Sequence, residues 1–483
     1  MVKKTKIVAT LGPSSNNEEI IECLIKAGID VARLNFSHGT HKSHGNIIKI
    51  LRKLSKKINK PITILQDLQG PKLRVDDLGE LGLSLLAGEN VKLINHKLVK
   101  DYKKPKEKLI PIDIPDIFRY LHKGSKILLD DGKLELEVLQ ALPSEIDAKV
   151  VIGGMLYSNK GINLPGTNLG LPGFTQKDRE DLEFGLQQGI DAVAISFVKD
   201  ARDIQIVRET IKAYSEEKAD TPIIAKLELP QAIQNLAEIL DSADGVMVAR
   251  GDLGVETYHA FVPIVQKEII QSANLKAKLV ITATQMLDSM INNPQPTRAE
   301  ASDVANAIFD GSDAVMLSGE TASGSYPIES VKMMGSIITE SESHFEKWGQ
   351  ISAKQSGFDD DAFAISFAAR ELAHERSVAA IAVFTQSGRS AIFQSKARPN
   401  VPILAFTPHE RTYKRLGLYW GVTPHLVPFS TTLEDMITHV ESTLLNYANI
   451  KIGQKVVLVS GFPIGAMRPT NLALIHTIGS IEK

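Results

Sequence analysis

The strongest constraint in this sequence is its rhythm of eight apolar strand-like runs, each followed by an amphipathic helical pattern. Lys6 to Thr10, Asp30 to Phe36 and Pro61 to Gln66 supply the first three strands. Asp191 to Val198, Pro222 to Glu228, Gly245 to Arg250, Leu279 to Thr284 and Asp313 to Ser318 supply the other five. Eight such units predict an α/β chain closed into a (β/α)8 TIM barrel, in which the active site gathers at the strands' C-terminal ends. The helices between them are predicted at Asn17 to Ala27, Ser43 to Lys57, Lys177 to Gly185, Ala201 to Tyr214, Pro230 to Leu240, Pro263 to Leu275, Glu300 to Phe309 and Ile328 to Phe345, with Thr175 capping the third.

The rhythm breaks once, between the third and fourth strands. Over Pro71 to Pro172 short β-like runs at Val91–Ile94, Lys126–Leu129, Leu134–Leu139 and Lys149–Ile152 alternate with Gly and Asp turns. Asp130-Asp131-Gly132-Lys133 is a hairpin signal. This stretch is predicted as an inserted all-β, barrel-like lid over the mouth, because it leaves from a strand's C-terminal end. Gly349 to Asp360 reads as a polar linker. Beyond it come a helix at Ala362–His374, a strand at Val378–Thr385, a helix at Ser390–Lys396, a strand at Val401–Thr407, helices at Arg411–Trp420 and Leu433–Tyr447, and a strand at Lys455–Ser460. Continuous apolar strands predict a parallel sheet there. The expected division is 1–70 and 171–348 for the barrel, 71–170 for the lid and 349–483 for a C-terminal α/β domain, with no further domain expected after Lys483.

Composition excludes little but usefully. The chain of 483 residues carries a formal charge of −2, so no basic field points to nucleic acid or an anionic membrane. No apolar run reaches the length of a membrane span. Cys23 stands alone, so no intrachain disulfide forms. It lies in an apolar helical pattern, which predicts a small buried hydrophobe. A cytoplasmic location follows as the expectation.

The reactive-looking polar and charged residues fall at strand C-termini: Arg33 and Asn35, Asp67, Lys226 and Glu228, Arg250 and Asp252, Thr284, and Ser318 with Glu320. Lys226 and Glu228 are two apart on a strand and face the same way. Glu228 and Asp252 suit a hard divalent cation such as Mg2+. Arg33, Arg74 and Lys226 supply positive charge, Ser37 and Thr284 supply hydroxyls, and Gly251 with Asp252 offers backbone N–H groups to a small carboxylate. Each residue alone also has a plain reading as a solvated strand end. Together they leave three readings open: phosphoryl transfer, Mg2+-assisted C–C lyase chemistry through an enolate, and a non-catalytic phosphate-ligand sensor.

Six motifs in order resemble one family, the pyruvate kinases: KIVATLGPSS (6–15), ARLNFSHG (32–39), MVARGDLGVE (247–256), ATQMLDSM (283–290), PTRAEASDVANAIFDG (296–311) and MLSGETA (316–322). The resemblance implies phosphoryl transfer from phosphoenolpyruvate to ADP, giving pyruvate and ATP, in a homotetramer. It implies Mg2+, or Mn2+ in its place, on Glu228 and Asp252. Lys226 would stabilise the moving phosphoryl group and Arg33 would bind the phosphate. Gly251, Asp252 and Thr284 would hold the substrate, and Thr284 with Ser318 and Glu320 would lie on a proton path. Arg74, Asn35 and His38 would meet the nucleotide.

Three stretches depart from the family's commonest pattern. In LQDLQGPKLR (65–74), Leu68, Gln69 and Lys72 stand where many members have Thr, Lys and Glu. In the family, Asn35, Ser37 and Asp67 would help hold K+. The departure resembles the K+-independent bacterial subgroup, so Lys72 is expected to substitute for K+, which would not be required. Leu229-Pro230 and Thr257-Tyr258-His259 also differ. In the C-terminal unit TQSGRS (385–390) leads into a helix, and Thr385, Ser387, Gly388, Arg389 and Ser390 form a candidate effector-phosphate loop. Its expected ligand is a sugar phosphate or a nucleotide. Arg468 stands where glycine is common.

Overall fold

The computed structural model describes residues 3–101, 108–112, 119–167, 170, 172–350, 360–447, 450–466 and 468–480. Most of the linker read at Gly349 to Asp360, and Met467 of the C-terminal loop, lie outside the described residues.

Eight parallel strands close into a barrel: β1 (Lys6–Leu11), β2 (Val31–Asn35), β3 (Thr63–Asp67), β4 (Ala192–Ile195), β5 (Ile223–Leu227), β6 (Gly245–Ala249), β7 (Leu279–Ala283) and β8 (Ala314–Leu317). Each strand pairs with its neighbours in sequence, and β8 returns to β1 with Lys6 opposite Ala314. Strand alternation sorts the apolar residues into two sets. Val8, Val31, Leu65, Ile224, Met247, Ile281 and Met316 pack within one buried cluster. Ile7, Leu34, Ile64, Val193, Ile223, Val246, Val280 and Val315 pack in another with apolar residues of the surrounding helices.

The helices start where their caps say. The Thr175 hydroxyl accepts from Asp178 N, and Thr297 and Glu300 make a reciprocal box at the next-to-last barrel helix. Three expectations for the barrel need correction. The helix read over Pro230–Leu240 is two short pieces, Pro230–Gln234 and Leu236–Ser242, that meet at Asn235. The sixth strand stops at Ala249, and Arg250–Glu256 is a short helix lying directly on the strand's end. Its two glycines hide it from a propensity reading. Cys23 is half-buried, not the fully enclosed hydrophobe expected, because it sits beside the helix face that turns inward through Ile21, Leu24 and Ile25.

The inserted segment forms a seven-stranded sheet around its own apolar cluster. Its order is Leu73–Arg74, Gly161–Asn163, Lys126–Leu129, Leu134–Ala141, Glu145–Ile152, Asn90–Asn95 and Lys108–Ile112. A bridge between Val75 and Ile112 brings its two edges together. The expected hairpin is present, with Leu129 opposite Leu134 and Asp130 and Asp131 in the left-handed region at φ +51° and +55°.

The C-terminal unit stacks Val422–Leu426, Ile403–Thr407, Ala380–Phe384 and Lys455–Ser460 in parallel, then adds Leu472–Thr477 antiparallel. A purely parallel sheet was expected. The last strand alternates in polarity only weakly and lies at an edge, so its sequence signal is slight. The helix expected over Arg411–Trp420 ends at Arg415, then a 3-10 turn at Leu416–Leu418 leads into an unpredicted strand at Val422. This unit packs under the strand N-termini. Lys6 Nζ donates to Val422 O at 2.7 Å, and Gly421 N donates to Lys4 O at 2.8 Å. The opposite mouth is left to the inserted segment. Among the described residues no helix is long and apolar enough to cross a membrane.

Candidate active site

The barrel brings two cations and two carboxylates together at the ends of β2, β3 and β5. Asp67, the last residue of β3 and 1% exposed, receives Arg33 Nε on Oδ2 at 2.6 Å. Its other oxygen faces Lys226 Nζ at 3.3 Å. Lys226 Nζ also lies 2.8 Å from Glu228 Oε1 and donates to Ser196 Oγ at 2.7 Å. Glu228, also 1% exposed, accepts Phe197 N on its second oxygen at 2.7 Å. Arg33 Nη1 donates to Thr10 Oγ1 at 2.9 Å.

Charge follows from this packing. Burial alone would depress the Lys226 ammonium, but Asp67 and Glu228 outweigh it and raise its pKa well above the usual lysine range. Burial raises Asp67 too, yet Lys226 and Arg33 hold it lower than a free aspartate. Glu228 is raised, first by burial, against the pull of Lys226 and with added repulsion from Asp252. Its second carboxylate neighbour therefore comes from the helix that caps β6. Two mutually repelling carboxylates at one mouth, one of them buried, form an open donor pair of the kind a hard divalent cation completes with substrate oxygens. The residues present fit Mg2+. Among the described residues no His, Cys, Asp and Glu cluster forms a closed cage of three or more donors.

Thr284 follows β7 in the left-handed region at φ +68°. Its hydroxyl donates to Ala283 O at 2.6 Å and accepts from Gly251 N at 2.8 Å. One of the two N–H groups expected for a substrate carboxylate is thus already engaged by protein. Glu320 is 1% exposed, and both its oxygens accept backbone N–H groups, from Leu287 at 3.0 Å and Ser318 at 2.7 Å. Burial raises its pKa against those hydrogen bonds. The Ser318 hydroxyl is buried at the same place without a hydrogen-bond partner among the described residues.

On the lid side, Lys72 Nζ lies 3.7 Å from Asp252 Oδ1, and Asn163 Nδ2 donates to Glu256 Oε1 at 2.8 Å. Both contacts join the inserted segment to the helix Arg250–Glu256. They border a cleft of about 340 Å³. Arg74 Nη1 donates to Asn159 O at 2.7 Å. His38 is held below the usual imidazole range by burial, then by Arg74, Lys72 and Arg33, which places those four in one electrostatic neighbourhood. Asn35 Oδ1 accepts from Ser37 N at 3.1 Å. Asp67 is turned to Arg33 and Lys226, and the described partner of Lys72 is Asp252.

Away from the mouth, Thr385 Oγ1 accepts Gly388 N at 2.9 Å, Gly388 takes φ +96°, and Ser390 Oγ pairs with Thr470 Oγ1 at 2.6 Å. Ser387 Oγ lies 3.5 Å from Arg389 N, and Arg389 pairs with Asp360. The loop borders a cleft of about 280 Å³ that also receives Phe429, Ser460 and Arg468.

Sequence reasoning had not marked Thr10, Ser196 or the contacts of Arg250. Ser196 lies just beyond β4, as the other site residues lie at or beyond their strands' ends, and that position was its available signal.

Comparison with known proteins decides the family. The model described as pyruvate kinase, barrel domain, matches residues 2–331, and that described as pyruvate kinase, alpha/beta domain, matches 363–476. The chain belongs to the pyruvate kinase family. It is 42% identical over 487 residues to a pyruvate kinase of Geobacillus stearothermophilus, covering 100% of this chain and 81% of that protein. It is 40% identical over 481 residues to a pyruvate kinase of Staphylococcus aureus strain USA300, covering 99% and 81%. The relative of Staphylococcus aureus strain NCTC 8325 matches equally. These relatives support pyruvate kinase activity, a phosphotransferase activity, for this chain.

Proposed function

We propose that this chain transfers the phosphoryl group of phosphoenolpyruvate to ADP, giving pyruvate and ATP in glycolysis. The observation that carries the reading is the position of Lys226, an ammonium held between Asp67 and Glu228 at the barrel mouth with Arg33 on the far side of Asp67. Arg33 binds and orients the phosphate. Lys226 stays charged and neutralises negative charge on the phosphoryl group as it moves. Glu228 and Asp252 hold Mg2+, or Mn2+ in its place, which supplies Lewis-acid stabilisation of substrate oxygens when bound. Asp252 N–H and Gly251 face the substrate carboxylate. Thr284 delivers the proton that turns enolpyruvate into pyruvate, and the unpartnered Ser318 hydroxyl extends that path. Glu320 fixes the backbone of both loops. Arg74, Asn35 and His38 meet the nucleotide at the lid side.

Lys72 replaces a bound K+ in this reading. Its ammonium, with Arg74 and Arg33 nearby, would repel a monovalent cation at Asn35, Ser37 and Asp67. The division into barrel, lid (71–170) and C-terminal domain (349–483), a homotetrameric assembly and a cytoplasmic location belong to the same reading. Thr385, Ser387, Gly388, Arg389 and Ser390 hold the phosphate of an activating sugar phosphate or nucleotide. The test is pyruvate formation from phosphoenolpyruvate with ADP and Mg2+, in K+ and in a bulky organic cation at equal ionic strength. ADP-dependent turnover in both buffers is expected. Pyruvate release without ADP would favour enolate lyase chemistry, and ligand binding without turnover would favour a sensor.

A further inference from the structure

Arg250 is the first residue of the short helix on β6, yet its side chain serves the loop after β7. The Nη2 group donates to Thr284 O at 2.6 Å and to Gln285 O at 3.1 Å, and Nε lies 3.2 Å from Thr284 O. Nη1 pairs with Asp303 Oδ2 at 2.5 Å, and the side chain is 10% exposed. Nε also lies 3.3 Å from Ala283 O, and two of the three residues whose carbonyls the side chain takes are in the left-handed region, Thr284 at φ +68° and Gln285 at φ +53°. For a β-branched residue that conformation is strained and persists only where its surroundings impose it. The planar guanidinium fork is suited to gripping two successive carbonyls in one geometry, whereas an ammonium is a flexible point charge.

The consequence concerns Thr284 Oγ1, which lies between Ala283 O and Gly251 N. The backbone of Arg250 continues into Gly251 and Asp252, while its side chain fixes Thr284. One residue therefore sets the separation between the substrate-carboxylate side of the mouth and the hydroxyl assigned to the proton path. We propose that Arg250 is a positioning residue for the protonation of enolpyruvate, holding the strained Thr284 so that its hydroxyl meets the substrate's C3 carbon. This rests on the proposed role of Thr284. In the step concerned, C3 of the enolate gains one proton and the C–O bond becomes the ketone of pyruvate. Arg250 transfers nothing itself.

The test uses full-length protein with Mg2+ and compares two reactions. One is ATP formation from phosphoenolpyruvate and ADP. The other is exchange of the pyruvate methyl hydrogens into deuterated water with inorganic phosphate present, followed by proton NMR. For Arg250→Lys, exchange is expected to fall ~100-fold, the scale of a misplaced reacting group, and to fall at least ~10-fold more than ATP formation. When phosphoenolpyruvate stereospecifically deuterated at C3 turns over in tritiated water, tritium should also add to C3 with lost facial selectivity, because enol that escapes ketonises in solution. Equal losses in both reactions with facial selectivity intact would overturn the inference and leave Arg250 a purely structural clamp. Thr284→Val separates the two ideas. If it spares exchange, the Thr284 role fails and the inference with it. If it abolishes exchange while Arg250→Lys does not, only the inference fails. Should Arg250→Lys not fold, Asp303→Asn keeps the guanidinium but removes its anchor, and the same selective loss of exchange is expected.

Discussion

Lys226 Nζ stands 2.8 Å from Glu228 Oε1, and both side chains reach the mouth because they are two residues apart at the end of one strand. The pair is nearly sealed from water, so it resists separation into independent roles. Lys226→Met should lower kcat by roughly 10²- to 10³-fold, the scale of losing one preorganised electrostatic partner. Asp67 and Glu228 would lose that partner while buried, a change that costs about 3–5 kcal/mol when a buried pair is broken. Mn2+ binding, followed by its paramagnetic resonance signal, should survive in this variant and be lost in Glu228→Gln. Loss of Mn2+ in both, or in neither, would contradict the division of labour.

How far the sequence speaks depends on the physical range of each signal. The barrel was readable because eight apolar strands repeat one local pattern, and the carboxylates and cations at their ends follow from where such strands stop. The helix Arg250–Glu256 was not, since a seven-residue helix with two glycines has no periodicity to display. The grip of Arg250 on Thr284 spans 34 residues and appears only once β6 and β7 lie side by side. Asp67 was read as part of a cation pocket, whereas its place between Arg33 and Lys226 depends on three strands meeting. The edge strand Leu472–Thr477 was missed for a different reason. Its apolar run, Leu472 to Ile475, is only four residues long and half-buried, so it is too short and too weakly alternating to mark a strand by itself.

Lys72 offers a charge-reversal test. Its ammonium lies 3.7 Å from Asp252 and lowers His38 together with Arg74 and Arg33. Lys72→Glu removes one fixed positive charge and adds a carboxylate beside Asp252 and in the electrostatic neighbourhood of His38. On the proposed substitution of Lys72 for K+, the variant should be weakly active in a bulky organic cation and recover about tenfold or more in K+, since the like-charge repulsion proposed to exclude a monovalent cation would be gone. Steady-state rates at fixed ionic strength check this. Equal rates in both salts for the variant would sink the substitution idea.

Asp313 joins the C-terminal unit to the start of β8. Lys396 Nζ lies 2.5 Å from one of its oxygens and Arg398 Nη2 2.7 Å from the other, all three nearly or wholly out of water. Asp313→Asn should cost about 3–5 kcal/mol, because it leaves two buried cations without their anion. Burial, only partly offset by Asp313, already lowers Lys396 to about 8. Unfolded lysine titrates near 10.4, so between those values the unfolded chain binds more protons and stability rises with pH. In Asp313→Asn the folded lysine sheds its proton at still lower pH. Denaturant titrations should therefore show the variant's deficit at pH 7 shrinking toward pH 9.

His425 acts in the same sense, but on the acid side. Its ring stacks on Phe406 with centroids 5.3 Å apart, and its Nε2 is buried without a hydrogen-bond partner among the described residues. Burial pushes its pKa down to about 4, against about 6.5 for an unfolded histidine. Between pH 6.5 and 4 the unfolded chain thus takes up a proton that the folded chain refuses. Stability is fully present above pH 6.5 and drains away as pH falls toward 4, by at most about 3 kcal/mol from this one group. His425→Phe keeps an aromatic ring against Phe406 and removes the titration. Its melting temperature, measured by calorimetry from pH 4.5 to 7, should vary less than that of the parent protein. Parallel curves for the two would mean that His425 titrates alike in the folded and unfolded chains, and would overturn the burial-lowered pKa.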